Sequence, residues 1–183
     1  MPPISPSLAR LCRWIRYGAV FFVTAVIAIY LVAWIAPDIT HHRHPVLQLA
    51  GLSGTLLASF TLEQRALIAS MSIPYLGVLV WAFYRLVRML RAFERGAFFE
   101  RQTVSDLRAF SGLLLLSKLL ALAAMHARVA LAIHLTGPHK ARVGVINLSS
   151  DDLAIVLLCA LFFAIAAMME EGRKLAEENR EFV

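Results

Sequence analysis

Lys118, His126 and Arg128 are ionisable side chains well inside a leucine-rich apolar stretch over residues 112–135, which also contains His134 near its end. An ionisable group at the centre of a membrane costs about 2.5 to 3.5 kcal/mol on an insertion scale, so such groups often mark a polar pathway or a ligand pocket. Lys118 and Arg128 lie towards opposite ends of the stretch, where long side chains can also snorkel to an interface. The sequence leaves two interpretations open: structural polar contacts, or a site for an anionic solute.

A proton relay and a haem site are both disfavoured by the surroundings of these residues. On one helix, Lys118 and His126 are about 80° apart in azimuth and about 12 Å apart in height, so they do not touch. The other three apolar stretches contain neither a carboxylate nor a histidine. A haem with two histidine ligands is poorly supported, because His126 and His134 lie on the same helix and the other three stretches offer no histidine. We therefore expect no cofactor.

A second candidate site is the histidine cluster that follows the first apolar stretch: His41, His42 and His44. Neutral imidazole binds zinc, copper or nickel. A further ligand would have to come from His139 or Asp38, and no closer partner is available. A solvated loop whose histidines titrate at about pH 6 to 7 accounts for the cluster without a metal. We therefore expect no metal site here.

Catalysis of the common kinds is not indicated. Cys12 and Cys159 are the only cysteines, and they have neither metal-ligand spacing nor a topology that would allow a periplasmic disulfide. Cys159 fits a small buried hydrophobic residue. No nucleophile with a plausible base, no paired carboxylates and no glycine-rich phosphate loop is present. We expect that the chain is not an enzyme.

Four apolar stretches must position these residues. Of 183 residues, 60% are hydrophobic and 16% are charged, whereas about a quarter are charged in a typical soluble domain. Each stretch approaches the roughly 20 residues that a helix needs to cross a hydrocarbon core about 30 Å thick, and none alternates like a barrel strand. The sequence predicts an all-α, four-transmembrane-helix bundle in one integral membrane domain over residues 1–183, with spans at about 17–36, 66–84, 112–135 and 153–169.

The distribution of lysine and arginine predicts the orientation. Twelve lie in the N-terminal segment, the second connection and the C-terminal tail, against four in the other two connections. By the positive-inside rule, both termini and a hairpin over residues 85–111 face the cytoplasm of a bacterial inner membrane, and a loop over residues 37–65 lies outside. The net charge of +6 then follows from topology, so we expect anionic lipid headgroups as partners at the cytoplasmic face and no direct nucleic-acid binding.

The second helix is predicted to extend into the cytoplasm. Thr61 and Gln64 fit a capping box, and Gly96 is a natural helix stop. A helix between them would be longer than the membrane is thick. Pro74 lies inside it and should kink it near Ser70 and Met71, because proline removes one backbone donor.

The fourth helix is also predicted to extend into the cytoplasm. It is expected to begin at Ser149 or Ser150 and to continue to about Asn179, supported by oppositely charged residues four apart, Glu170 with Lys174 and Arg173 with Glu177. The two extensions have opposite charge, since residues 85–108 carry a net +3 and residues 170–183 a net −2. We expect these two segments to dock together.

Two short stretches resemble a known family. The run from Arg95 to Glu100, continued by Val104 and Leu107, resembles the cytoplasmic hairpin of a bacterial inner-membrane family, the domain of unknown function two-nine-seven-five. The ending over residues 171–183 is similar to the closing pattern of that family, and the order of four spans matches over about residues 10–183. The resemblance brings no catalytic residues. Members of that family are often encoded beside small helix-turn-helix regulators, so the resemblance implies a signalling or sequestration role.

The leading functional hypothesis is a regulatory or partner-binding membrane module with a basic cytoplasmic platform. The partner would be a small cytoplasmic regulator or a second copy of the chain. The alternative is a small transporter or ligand-binding protein that uses Lys118, His126 and Arg128 around an anionic solute. The candidates for binding a partner or lipid protrude where a simple bundle needs only a short turn, or lie in the acidic tail: Arg88, Arg91, Arg95, Phe98, Phe99, Arg101, Arg108 and Glu177.

Overall fold

The computed structural model describes residues 6–35, 60–97, 100–136 and 150–181. Within these ranges the chain forms five α-helices and no β-strand. The histidine cluster at residues 41–44 lies outside them, as do Phe98 and Phe99. The helices are α1 (Pro6–Ile35), α2 (Leu62–Ser70), α3 (Ile73–Glu94), α4 (Arg101–Thr136) and α5 (Ser150–Glu181).

Four of these helices are long and apolar enough to cross a membrane. They are α1, α3, α4 and α5, over Ser7–Val32, Ile73–Glu94, Arg101–Leu135 and Asp152–Leu175. The protein itself buries little of this apolar surface, only 6% of the most apolar window of α1 and 11% of that of α5. Apolar surface of this extent needs lipid around it. The all-helical fold with four membrane-spanning candidates is therefore confirmed.

The predicted helix signals at residues 61 and 96 are both present. Thr61 Oγ1 accepts from the Gln64 N–H at 3.4 Å, and Gln64 Oε1 accepts from the Thr61 N–H at 3.0 Å, which completes the capping box. Gly96 has φ 83, and the next residue closes the helix end when the Ala97 N–H donates to the Ala92 carbonyl at 3.1 Å. This geometry ends α3 as a Schellman motif, which favours glycine at the left-handed position.

Between these two signals the chain forms two helices, which differs from the single kinked helix that the sequence predicts. Met71 and Ser72 form a turn, in which the Ser72 N–H donates to the Ala69 carbonyl at 2.9 Å. α3 then begins at Ile73. Pro74 has no N–H to continue the α2 ladder, so the chain breaks the helix here instead of bending it.

The chain divides into two compact units, each with its own core. The first comprises Met1–Val23, Val78–Leu115 and Ser149–Val183, and the second comprises Thr24–Gly77 and Leu116–Leu148. The core of the second unit is small. It consists of Phe60, Ile68 and Ala132, with Trp34 and Leu131 packed against them.

The core of the first unit joins the hairpin to α1 and α5. Four phenylalanines make a chain of ring contacts across it: Phe22 with Phe83 at 5.6 Å, Phe83 with Phe110 at 6.0 Å, and Phe110 with Phe162 at 5.6 Å. Next to this chain lies a buried cluster that α1, α3, α4 and α5 share: Cys12, Met89, Leu90, Val104, Leu107 and Ala166, with Leu86, Phe93, Phe162, Ile165 and Met169 packed against it.

This cluster shows how the hairpin and α5 are held together. Opposite charges on residues 85–108 and 170–183 predict that the two segments dock. The buried contacts that join the hairpin to α5 are apolar and lie closer to the centre of α5, at residues 162–169. Burial of apolar side chains stabilises this contact more than exposed ion pairs would, because such pairs contribute only about 0 to 1 kcal/mol each.

Candidate functional site

A buried carboxylate joins the two helices of the hairpin. The Asp106 side chain on α4 is 2% exposed, and both of its oxygens accept from arginines on α3. Arg85 Nη1 donates to Oδ1 at 2.9 Å, and Arg88 Nε donates to Oδ2 at 2.6 Å. Arg88 Nη2 also donates to Oδ1, so the Arg88 guanidinium binds the carboxylate through two nitrogens.

This cluster carries one more positive charge than negative. Arg85 and Arg88 share the single charge of Asp106, and their side chains remain 26% and 34% exposed while the carboxylate is shielded. The acid is therefore inside and the surplus basic surface is outside. Removing one partner from a buried ion pair is costly because the other is left without compensation. The cluster therefore holds α3 against α4 and also determines the charge of the surface above them.

Other ion pairs surround the same core. Arg16 Nη1 donates to Glu94 Oε2 at 2.9 Å and joins α1 to the end of α3. Within α5, Arg173 Nη2 donates to Glu170 Oε1 at 2.8 Å, and the Arg173 side chain is nearly buried. Arg16 and Glu94 are not among the predicted binding residues, because their pairing depends on how α1 packs against α3. Arg173 is also not among them, and its pair with Glu170 is local to α5.

Four of the predicted binding residues are exposed on this scaffold: Arg91, Arg95, Arg101 and Arg108. Arg95 Nε donates to the carbonyl of Arg91 at 3.3 Å, one turn back on α3. Arg88 differs from them, since it is engaged with Asp106. Phe98 and Phe99, together with the side chain of Glu177, lie outside the described residues.

Arg108 also lines an open groove along the C-terminal part of α5. The groove has a volume of about 720 Å³, and its lining combines apolar and charged side chains. Lys174 and Glu171, which line it, pair with each other at 2.7 Å. The α5 residues in the groove are Ala167, Met168, Glu170, Glu171, Gly172, Lys174 and Leu175.

In the second unit, Arg128 is buried at the break between α2 and α3. Its residue is 1% exposed, and Nη1 donates to Ser72 Oγ at 2.7 Å. The Tyr30 hydroxyl donates to the Ala69 carbonyl at 3.2 Å, at the end of α2, and its ring meets Tyr75 edge-on at 6.4 Å. The guanidinium of Arg128 therefore points into the second unit and makes a structural polar contact there.

Lys118, His126 and Arg128 of the third span do not converge on one site. His126 and Arg128 are about 160° apart around α4, and Lys118 lies about 15 Å from Arg128 along it. His126 Nδ1 lies 2.8 Å from the Leu122 carbonyl, one turn earlier on the same helix, and Lys118 is half-buried. Each side chain is placed separately.

Within the described ranges, no group of three or more histidine, cysteine or acidic side chains is placed to hold a metal ion. The histidines at residues 41–44 lie outside these ranges. The expectation that they hold no metal remains a prediction.

A family model described as "Protein of unknown function (DUF2975)" matches residues 32–183. The chain belongs to the DUF2975 family. The match includes all of α2 to α5, and with them Asp106, its two arginines and Arg128. Comparisons with curated proteins and with solved structures gave no match. The resemblance seen in the sequence is therefore confirmed, and the family description assigns no activity.

The Asp106 cluster gives a direct prediction for this DUF2975 protein. Asp106→Asn removes the buried carboxylate that pairs with Arg85 and Arg88, and so leaves both arginines without a counter-charge. We therefore expect the thermal unfolding midpoint in a mild detergent to fall by about 5 °C or more. Glu171→Gln is the matched control, because it removes one carboxylate from an exposed pair and should shift the midpoint by no more than about 2 °C. Equal shifts in the two variants would show that the cluster does not hold the hairpin.

Proposed function

We propose that this chain is a regulatory, non-enzymatic module of a bacterial inner membrane that binds an acidic protein partner on its hairpin. The excess of arginine and lysine in the hairpin and both termini supports an orientation with these segments in the cytoplasm. In that orientation the C-terminal ends of α3 and α5 lie on the cytoplasmic side. The length of α5 supports an extension beyond the bilayer, since its 32 residues cover about 48 Å against a hydrocarbon core of about 30 Å.

One observation carries the proposal: four arginines are exposed on a hairpin in which Asp106 and Glu94 already pair with other arginines. We define the basic platform as Arg91, Arg95, Arg101 and Arg108, all of which are exposed. Asp106 and Glu94 are engaged with other arginines, which leaves the exposed Glu100 as the remaining acid of residues 85–108 against the four platform arginines. The platform therefore presents positive charge that the hairpin does not neutralise itself.

The packing of the hairpin helices on the core makes this charge suitable for binding. The platform arginines follow or flank buried residues of the core cluster, such as Leu90, Val104 and Leu107. Side chains on a packed scaffold lose less conformational entropy on binding than those on a flexible loop. Exposed arginines add little to the stability of the fold, whereas a surface of one sign attracts a partner of the other sign and orients it. The partner would be a small acidic regulator or the acidic tail of a second copy.

Co-purification of the full chain in a mild detergent tests the platform. With Arg91→Ala, Arg95→Ala and Arg101→Ala combined, we expect recovery of the acidic partner to fall at least about tenfold, because the main attractive charge is lost. The control is the matching triple change to lysine, which keeps the charge and should retain the partner. The mass of the complex distinguishes a regulator from a second copy. Equal recovery with the alanine variant would show that the platform has no such role.

The burial of Arg128 favours a second candidate function, a binding or transport site for a small anion. Its guanidinium is buried within the second unit, at the turn where α2 ends and the membrane-spanning candidate α3 begins. Discontinuous helices recur at substrate sites of membrane transporters, where unwound backbone and helix ends contact the solute. This candidate does not need the platform.

Anion flux into liposomes that contain the purified chain tests this candidate. Flux of chloride, acetate or phosphate should be lost in Arg128→Ala and reduced in Lys118→Ala, because both variants remove positive charge from the third span. Arg128→Lys keeps the charge and serves as the check on folding, while Arg101→Ala should leave flux unchanged. Flux that is indifferent to Lys118→Ala and Arg128→Ala would remove the candidate.

A further inference from the structure

One face of α3 changes from aromatic to basic within two turns. Trp81, Tyr84, Arg85 and Arg88 are three, four and seven residues apart, so they share this face. Trp81 and Tyr84 are 52% and 58% exposed. The Arg85 guanidinium lies over the Trp81 ring at 6.0 Å, and Arg88 follows Tyr84 by about one turn on the same face.

This face lies where α3 leaves its apolar stretch. No charged residue occurs between Ile73 and Tyr84, and Arg85 is the first basic side chain of the helix. Exposed tryptophan and tyrosine are typical of the boundary between hydrocarbon and headgroups. From Trp81 to Arg88 the helix rises about 10 Å, enough to cross a headgroup layer of about 5 to 8 Å.

The charges on this face favour an anion that approaches from the membrane. Asp106 neutralises only one of the two arginines, and its carboxylate is shielded while both arginine side chains keep exposed surface. The Asp106 contacts also restrict the arginine side chains, so less entropy is lost when a ligand binds them. A fixed guanidinium is well suited to phosphate, which it can contact through two nitrogens.

We infer that Trp81, Tyr84, Arg85 and Arg88 form a binding site for the headgroup phosphate of an anionic lipid. The arginines contact the phosphate, Tyr84 donates from its hydroxyl, and the Trp81 ring packs on the upper part of the acyl chain. A free phosphate ion would use the arginines but would not need the exposed aromatic rings, so the rings favour a lipid. Asp106 acts as a positioning residue that holds both guanidinium groups.

This inference goes beyond the proposed function and does not depend on the platform. It requires α3 to cross the membrane, and it involves side chains that precede Arg91 in the helix. Loss of the lipid preference with the partner retained, or the reverse, would therefore identify which of the two proposals has failed.

Quenching of Trp81 fluorescence by brominated lipids tests the site in the full chain. Trp14→Phe and Trp34→Phe leave Trp81 as the single tryptophan. The chain is reconstituted into vesicles of phosphatidylcholine and phosphatidylglycerol in which one or the other lipid carries brominated acyl chains. At equal mole fractions we expect brominated phosphatidylglycerol to be enriched about fivefold beside Trp81, the ratio that one net basic charge near the membrane surface provides.

The variants separate the site from general surface charge. Arg88→Gln brings the cluster to zero net charge while Arg85 still pairs with Asp106, so the preference should disappear. Arg13→Gln removes one exposed arginine of α1 and should keep it. If Arg88→Gln does not fold, Arg85→Gln, Arg88→Gln and Asp106→Asn combined give a neutral cluster without an unpaired buried charge.

Three results would overturn the inference. The first is equal quenching by the two brominated lipids in the chain with an intact cluster. The second is a preference that survives in a folded neutral variant. The third is loss of the preference when inorganic phosphate is added at constant ionic strength, which would assign the site to a free anion instead of a lipid.

Discussion

The cost of placing charge in hydrocarbon is the constraint on which this arrangement depends. A membrane-spanning helix satisfies its own backbone, but an ionised side chain must reach an interface or find a partner inside the protein. α3 follows this rule, since it has no charge from Ile73 to Tyr84 and then carries several arginines. Arg128 follows it differently, because its guanidinium is buried and bound to Ser72.

The same constraint explains why one carboxylate organises the first unit. At the end of the apolar stretch, the charges of Arg85 and Arg88 can be stabilised by water, by lipid headgroups or by a nearby acid. Asp106 supplies the acid from the facing helix, and its burial fixes the register of α3 against α4. Two consequences follow from this geometry: the later arginines of the hairpin remain exposed, and one surplus positive charge remains beside Trp81 and Tyr84. Both proposals use charge that the fold leaves uncompensated.

The features that could be predicted from the sequence are those that depend on local chemistry. The spans follow from the lengths of the apolar stretches. The capping box at Thr61 follows from spacing, and the end of α3 follows from the freedom of Gly96 to adopt a positive φ. Pro74 correctly predicts an interruption of the helix. Whether the helix bends or breaks there depends on whether the polar groups of the neighbouring turn find hydrogen-bond partners, and the Ser72 hydroxyl accepts from Arg128.

The candidate site was harder to predict because its contacts join residues on different helices. The sequence shows Arg85 and Arg88 on one face of a helix, and Asp106 about one turn into the next. That signal would have found the pair if the hairpin register had been known. The inward direction of Arg128 depended in the same way on the packing of α4 beside the α2–α3 break, since a long side chain near a helix end can point to either environment.

The position of the hairpin relative to the membrane is the central claim, and cysteine accessibility tests it most directly. In a chain with Cys12→Ser and Cys159→Ala, single cysteines are introduced as Arg95→Cys in the hairpin or Lys140→Cys in the third connection. Cells that express either single-cysteine chain are treated with a membrane-impermeant maleimide. The account predicts that position 140 is labelled in intact cells and that position 95 is labelled only after permeabilisation. Labelling of position 95 in intact cells would contradict it.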